Sequence, residues 1–213
     1  MEKQNDALWE FDRGFGVPLC GVDEAGRGPL AGPVFAACAV LKPGAEIPWL
    51  NDSKKLTEKR REAIFRDILE NGKAWFGIGT ASPAEIDRLN ILRATCLAMN
   101  RAYAAMLEQG LPGELLPALA LVDGNRDPGL PLATQTVVKG DGKSAAIAAA
   151  SVLAKVSRDR YMLELAAQYP QYQFQRHKGY PTKLHYELLE KHGVSPVHRR
   201  SFLKKRKETA EEG

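Results

Sequence analysis

Two adjacent carboxylates, Asp23 and Glu24, close the apolar run Leu19-Cys20-Gly21-Val22 and precede the turn Gly26-Arg27-Gly28-Pro29. A second apolar run, Val34 to Leu41, follows. Neighbouring acids at the rim of a buried strand repel each other and lose hydration. They are stable there only with a cation between them or with free access to water. Ordinary turn chemistry also places Asp and Glu before glycine, so the pair alone leaves both readings open. Asp123 repeats the pattern at the end of Leu119-Ala120-Leu121-Val122. The carboxyl ends of strands in α/β sheets are where ligands collect, although Asp-Gly is also a common turn. Asp159 shares a helical face with Val156, Val152 and Ala148, and a carboxylate on so apolar a face calls for a cation. The competing reading makes Arg158-Asp159-Arg160 a surface charge cluster. Together Asp23, Glu24, Asp123 and Asp159 would form an all-oxygen donor set that selects Mg2+ or Mn2+ over Zn2+. Such a site activates water for in-line displacement at phosphorus.

Basic and aromatic residues suited to a phosphate-bearing substrate lie between these acids. Lys54 and Lys55 fall in a loop, and Lys143-Ser144 opens a buried helix whose free N–H groups favour an anion. Tyr180, within His177-Lys178-Gly179-Tyr180, offers a platform for a sugar or base, with plain packing as its alternative. Arg199-Arg200 and Lys204-Lys205-Arg206-Lys207 form a basic tail that would contact nucleic acid or simply confer solubility. Two resemblances to nucleotide motifs fail. Gly26 to Ala31 fits a dinucleotide fingerprint but leads into a strand rather than a helix, and Gly142-Lys143-Ser144 lacks the first glycine of a Walker loop, Val137 standing there. His177, His185, His192 and His198 have no metal-ligand spacing and read as surface or substrate-side groups.

The elements that must position these groups follow from periodicity. Thr57 caps a helix through about Leu69, and Trp75 to Thr80 is a strand. Ser82-Pro83-Ala84-Glu85 is a capping box, and the stripe Leu92, Thr95, Cys96, Met99, Tyr103, Met106 continues a long helix to Gly110. Leu119 to Val122 and Thr134 to Val138 are strands, and Lys143 to about Gln168 is a helix apolar almost all round. Its alanines let it lie close against a sheet. A loop over 169–180 and a helix over 182–191 precede the tail. The order β-β-α-β-α-α-β-β-α implies an α/β chain with a mixed five-stranded sheet flanked by helices.

Composition sets the outer bounds. With 213 residues, 44% hydrophobic and 26% charged, the chain can bury one substantial core, here expected as a single domain with a core over about 15–168 and a helical extension over about 169–213. No apolar run approaches the length of a membrane span, and the three cysteines read as reduced thiols, so a cytoplasmic protein is expected; a monomer is the expected state. The net charge of +4 permits nucleic-acid binding without requiring it.

Val22-Asp23-Glu24-Ala25-Gly26-Arg27-Gly28-Pro29-Leu30-Ala31-Gly32-Pro33-Val34 closely resembles the signature of the type 2 ribonucleases H. Asp52 to Leu56, Asn90 to Thr95, Val122 to Asn125, Lys139 to Asp159 and His177 to Tyr180 resemble further blocks of that family, in family order. The resemblance implies a ribonuclease H-like fold and an endonuclease that cuts RNA in RNA–DNA hybrids. It also implies cleavage 5′ to a single ribonucleotide in duplex DNA, leaving 3′-hydroxyl and 5′-phosphate, with Mn2+ or Mg2+. The same resemblance assigns the four acids to Asp23, Glu24, Asp123 and Asp159. It places the Gly-Arg-Gly motif on Gly26, Arg27 and Gly28 and the sugar-stacking tyrosine on Tyr180; Lys54, Lys143 and Ser144 are expected to hold phosphates, and replication or repair partners are expected at the tail.

Overall fold

The computed structural model describes residues 2–203. Strands β1 (Leu19–Ala25) and β2 (Val34–Leu41) pair antiparallel, with Asp23 opposite Ala37. Strand β3 (Ala74–Ala81) continues the antiparallel half beside β2, while β4 (Leu119–Asp123) and β5 (Ala133–Val137) extend β1 in parallel. The order β3-β2-β1-β4-β5 is the expected mixed sheet. Its helices are α1 (Glu2–Arg13), α2 (Glu58–Glu70), α3 (Pro83–Leu89), α4 (Ile91–Leu107), α5 (Ala145–Gln168), α6 (Phe174–His177) and α7 (Lys183–His192).

The period of two along β1 divides the core. Cys20 and Val22 turn to one face and pack with Cys38 on β2 and Ala98, Met99, Ala102 and Met106 on α4. Gly21 and Asp23 turn to the other face, under α5. There Ala37 and Ala39 meet Ala148, Ala149, Val152 and Leu153. A Cβ on Gly21 would lie 2.0 Å from the Ala146 carbonyl carbon, so the bare backbone of β1 is what admits the helix so closely. Close seating of α5 matters because it carries groups to the rim where Asp23 sits. The buried cysteines Cys20 and Cys38 are free thiols, as expected.

Three local features depart from expectation. The stretch 83–107 breaks at Asn90, which adopts φ 66° and caps α4 by accepting from the Arg93 N–H at 3.1 Å. The apolar stripe runs across this break, so periodicity alone joins the two helices that the expected order counts separately. Helix α1, which gave no readable signal, docks on the start of α5: Asp12 Oδ2 accepts from Ala146 N at 2.9 Å. The expected loop over 169–180 contains α6. Among the described residues no helix is long and apolar enough to cross a membrane.

The box at Ser82 forms as expected, with Glu85 N donating to Ser82 Oγ and Ser82 N donating to Glu85 Oε2. Burial is slight there and Arg101 also pairs with Glu85, at 2.8 Å, holding its carboxyl down at about 2. Ser82→Ala should therefore cost about 1 kcal/mol and lower the melting temperature by roughly 2–4 °C, readable by circular dichroism.

Candidate active site

Asp23 ends the buried part of β1 and is 4% exposed. Its Oδ1 accepts the Glu24 N–H at 2.7 Å, and the Ser151 hydroxyl of α5 bonds to the same carboxylate. Burial first, then the charges of Glu24 and Asp123, hold Asp23 well above the usual carboxylate range. Glu24 is also raised, mainly by burial and further by Asp123, against Arg27, whose guanidinium reaches Glu24 Oε1 at 3.2 Å. Asp123 closes the neighbouring parallel strand and accepts from Gly140 N at 2.7 Å. The three acids of β1 and β4 thus face one another at the carboxyl edge of the sheet, where parallel strands present ligands.

The fourth carboxylate of this group is Asp141, not Asp159. Asp141 follows β5 in a short 3-10 turn, Gly140–Gly142, and is 4% exposed. Burial, then the neighbouring Asp52 carboxyl and Asp123, push it up to about 6. Its buried Oδ2 accepts no hydrogen bond; Lys54 Nζ stands 3.7 Å away. Lys54 reports the shape of the cluster: against the desolvation that lowers it, Asp141, Asp23, Asp123 and Asp52 all raise it. Asp159 is answered by Lys155, one turn back on α5, at 2.7 Å. It also lies eight residues beyond Ser151, the α5 group that touches Asp23, which is about 12 Å along the helix axis. The apolar face that Asp159 shares was read correctly, but the cation it meets is a lysine.

Four carboxylates, two of them nearly inaccessible and both repelled by Asp123, fit a hard divalent cation such as Mg2+ or Mn2+, with oxygen as the only donor type. No three His, Cys, Asp or Glu side chains among the described residues already converge in an arrangement that could hold an ion. Closing the set around one therefore takes side-chain movement. Beside Glu24 and Asp123 a small cavity of about 90 Å³ is lined also by Arg27, Asn125 and Arg126, well below the volume that encloses a drug-sized molecule.

A profile of the family Ribonuclease HII matches residues 20–205. The chain belongs to the ribonuclease HII family. The ribonuclease HII of Dechloromonas aromatica (strain RCB) is 58% identical over 184 residues, which span 86% of this chain and 90% of that protein. The ribonuclease H2 of Pyrococcus horikoshii OT3 superposes with a TM-score of 0.65 at 28% identity, covering 86% of this chain and 92% of that one. Bst-RNase HIII in complex with Mn2+ shares the fold, with a TM-score of 0.70 at 18% identity over 86% and 66% of the two chains. As a member of the ribonuclease HII family the chain is a ribonuclease H, a metal-dependent hydrolase, with a ribonuclease H-like fold.

In this ribonuclease HII chain the residues expected to touch substrate fall into two groups. Arg27 and Gly28 are exposed beside Glu24, and Lys54 and Lys143 are exposed on the same rim. Tyr180 is 40% exposed and stands next to the turn, because Leu30 N donates to Gly179 O at 2.8 Å. Gly26 is buried, its carbonyl bound by Arg199, and Ser144 departs further from expectation. It is fully buried, caps α5 by accepting from Ile147 N at 3.2 Å, and cannot hold a phosphate. The anion at that helix end is the Asp12 carboxylate of α1, which burial pushes up to about 6.

The histidines are corrected too: only His192 is exposed, while His177, His185 and His198 are buried and packed on one another. Burial first, then a neighbouring histidine, lowers His185 and His198 to about 4, so both are neutral near pH 7. They serve the Tyr180 loop, since His185 Nδ1 pairs with Tyr180 O at 3.0 Å and Gly179 N donates to His177 Nδ1 at 3.2 Å. Arg199, expected in the basic tail, is wholly buried. Residues 204–207 lie outside the described residues.

Proposed function

We propose that this chain hydrolyses the RNA strand of RNA–DNA hybrids and cuts 5′ to a single ribonucleotide in duplex DNA, leaving 3′-hydroxyl and 5′-phosphate ends. Its role would be the removal of misincorporated ribonucleotides and RNA primers. The observation that carries the reading is the cluster of Asp23, Glu24, Asp123 and Asp141 beside the Gly26-Arg27-Gly28 turn. Two divalent cations, when bound, would supply the activated water and stabilise the leaving 3′ oxygen. Asp23, Glu24, Asp123 and Asp141 would hold them, beside Lys54. Arg27, Lys54 and Lys143 would hold backbone phosphates, and Tyr180 would pack on the sugar at the junction. Only the 2′-hydroxyl separates the two sugars there; the backbone of the Gly26-Arg27-Gly28 turn, which begins two residues after Glu24, would read it.

The test is cleavage of three matched duplexes with Mg2+ or Mn2+: an RNA–DNA hybrid, DNA with one ribonucleotide, and all DNA. Products from the first two alone, with the stated ends, are expected. Cleavage of all-DNA duplex, or binding without any product, would sink the proposal.

A further inference from the structure

Two arginines are buried without a carboxylate partner between the Gly26-Arg27-Gly28 turn and the Tyr180 loop. Arg158 of α5 and Arg199 are each 0% exposed. Neither forms an ion pair among the described residues, and their like charges oppose each other: burial first, then Arg158, lowers Arg199 to about 9. Buried unpaired guanidinium groups are costly, so what they bind is informative. The hydrogen bonds of Arg199 all go to main-chain carbonyls, and its guanidinium also lies 5.3 Å from the Phe202 ring centre. Its Nη2 donates to Gly26 O at 2.7 Å, Nη1 to Arg27 O at 2.9 Å and Nε to Gly32 O at 2.9 Å. Arg158 Nη2 donates to Lys178 O at 2.9 Å, and its guanidinium lies 5.5 Å from the Tyr180 ring centre. Arg158 also fills the space beside Gly26, where a Cβ would come within 2.1 Å of its Nε.

Peptide geometry turns these bonds into a statement about donors. In a trans peptide the C=O and the following N–H point in opposite directions, and no peptide bond of the described chain is cis. Arg199 draws the carbonyls of Gly26 and Arg27 inward, so the N–H groups of Arg27 and Gly28 must point outward. Both residues are exposed, neither N–H finds an acceptor among the described residues, and a Cβ on Gly28 would meet nothing within 4 Å. Two adjacent outward N–H groups form a small concavity for an oxygen-bearing ligand. A charged donor on each carbonyl also polarises the peptide and strengthens the opposite N–H.

We propose that Arg199 is a positioning residue for ribose selectivity, fixing the Arg27 and Gly28 N–H groups toward the junction sugar and its phosphate. Arg158 wedges the same turn against the Tyr180 loop. The inference rests on the reading of the turn given under Proposed function. It assigns Arg199 to the choice between ribo- and deoxyribo-substrates rather than to overall affinity for a duplex. A lysine in its place would keep the charge but could not fork across two consecutive carbonyls.

Arg199→Lys tests it. The kcat/KM for duplex DNA carrying one ribonucleotide should fall by about tenfold or more, the effect of losing a charge-assisted hydrogen bond. The inhibition constant of the matched all-DNA duplex, measured as a competitor in the same reaction, should change by less than about twofold. An unchanged kcat/KM, or a parallel loss in both quantities, overturns the inference. Should the variant fail to fold, amide resonances of the wild-type protein decide: Arg27 and Gly28 should shift further with the one-ribonucleotide duplex than with all DNA, and equal shifts overturn it. Wild-type protein that cuts neither ribonucleotide-bearing duplex refutes the underlying functional reading instead. Wild-type cleavage with unaltered selectivity in Arg199→Lys refutes the inference alone.

Discussion

Asp141→Asn is expected to abolish cleavage, with kcat falling by well over the roughly 100-fold typical of losing an outer partner of a metal ligand. The acid faces Asp123, and its buried Oδ2 accepts no hydrogen bond and meets Lys54 Nζ at 3.7 Å. Asparagine keeps the shape but removes a charge a divalent cation needs. The same variant should be more stable than wild type without added metal, and the pH dependence identifies the cause. A carboxyl whose folded value is raised to about 6 contributes its stability at low pH and loses it as pH rises through that value. The variant's advantage should therefore be absent near pH 4 and on the order of 2 kcal/mol above about pH 6. Adding Mg2+ or Mn2+ should raise the wild-type melting temperature and leave the variant's unchanged. Asp159→Asn is the counterpart. It loses an i,i+4 contact with Lys155 worth about 0.3–0.5 kcal/mol, and its cleavage rate should stay within about tenfold of wild type. If Asp159→Asn were dead and Asp141→Asn active, the site would have to be redrawn around α5.

Gly21→Ala should prevent stable folding although it adds one methyl group. Its Cβ would lie 2.0 Å from Ala146 C and 2.2 Å from Ile147 N, main-chain atoms at the start of α5. No side-chain rotation relieves such a contact. Helix and strand must separate, opening the Ala-rich face over Ala37 and Ala39 and pulling on the Asp12 cap. Overpacking against side chains costs about 1–3 kcal/mol and this contact exceeds that range, in a protein with total stability of roughly 5–15 kcal/mol. Chemical denaturation would read the loss directly. Gly113→Ala, in open space at ordinary φ, is the control; it should stay within about 0.5 kcal/mol of wild type.

Asp23, Glu24 and Asp123 could be read from the chain because each ends an apolar β-run, a pattern contained within one element. The mixed sheet followed from the order of such runs, and the closeness of α5 from its alanines. Asp141 had a signal of the same kind, a glycine-flanked acid between a strand and a buried helix, placing it at the carboxyl edge already holding Asp23 and Asp123. Its resemblance to the end of a phosphate loop obscured that signal. Asp159 misled because helical periodicity identifies a buried face without naming what waits there, and Lys155 on the preceding turn met it first. Whether Ser144 faces a phosphate or Asp12, and whether Arg199 lies in a tail or under the Gly26 turn, depends on segments more than 100 residues apart in the chain. Local sequence fixes which way a side chain turns relative to its own backbone. Only packing across the fold decides what it meets, and that sorted the acids, the histidines and the two buried arginines.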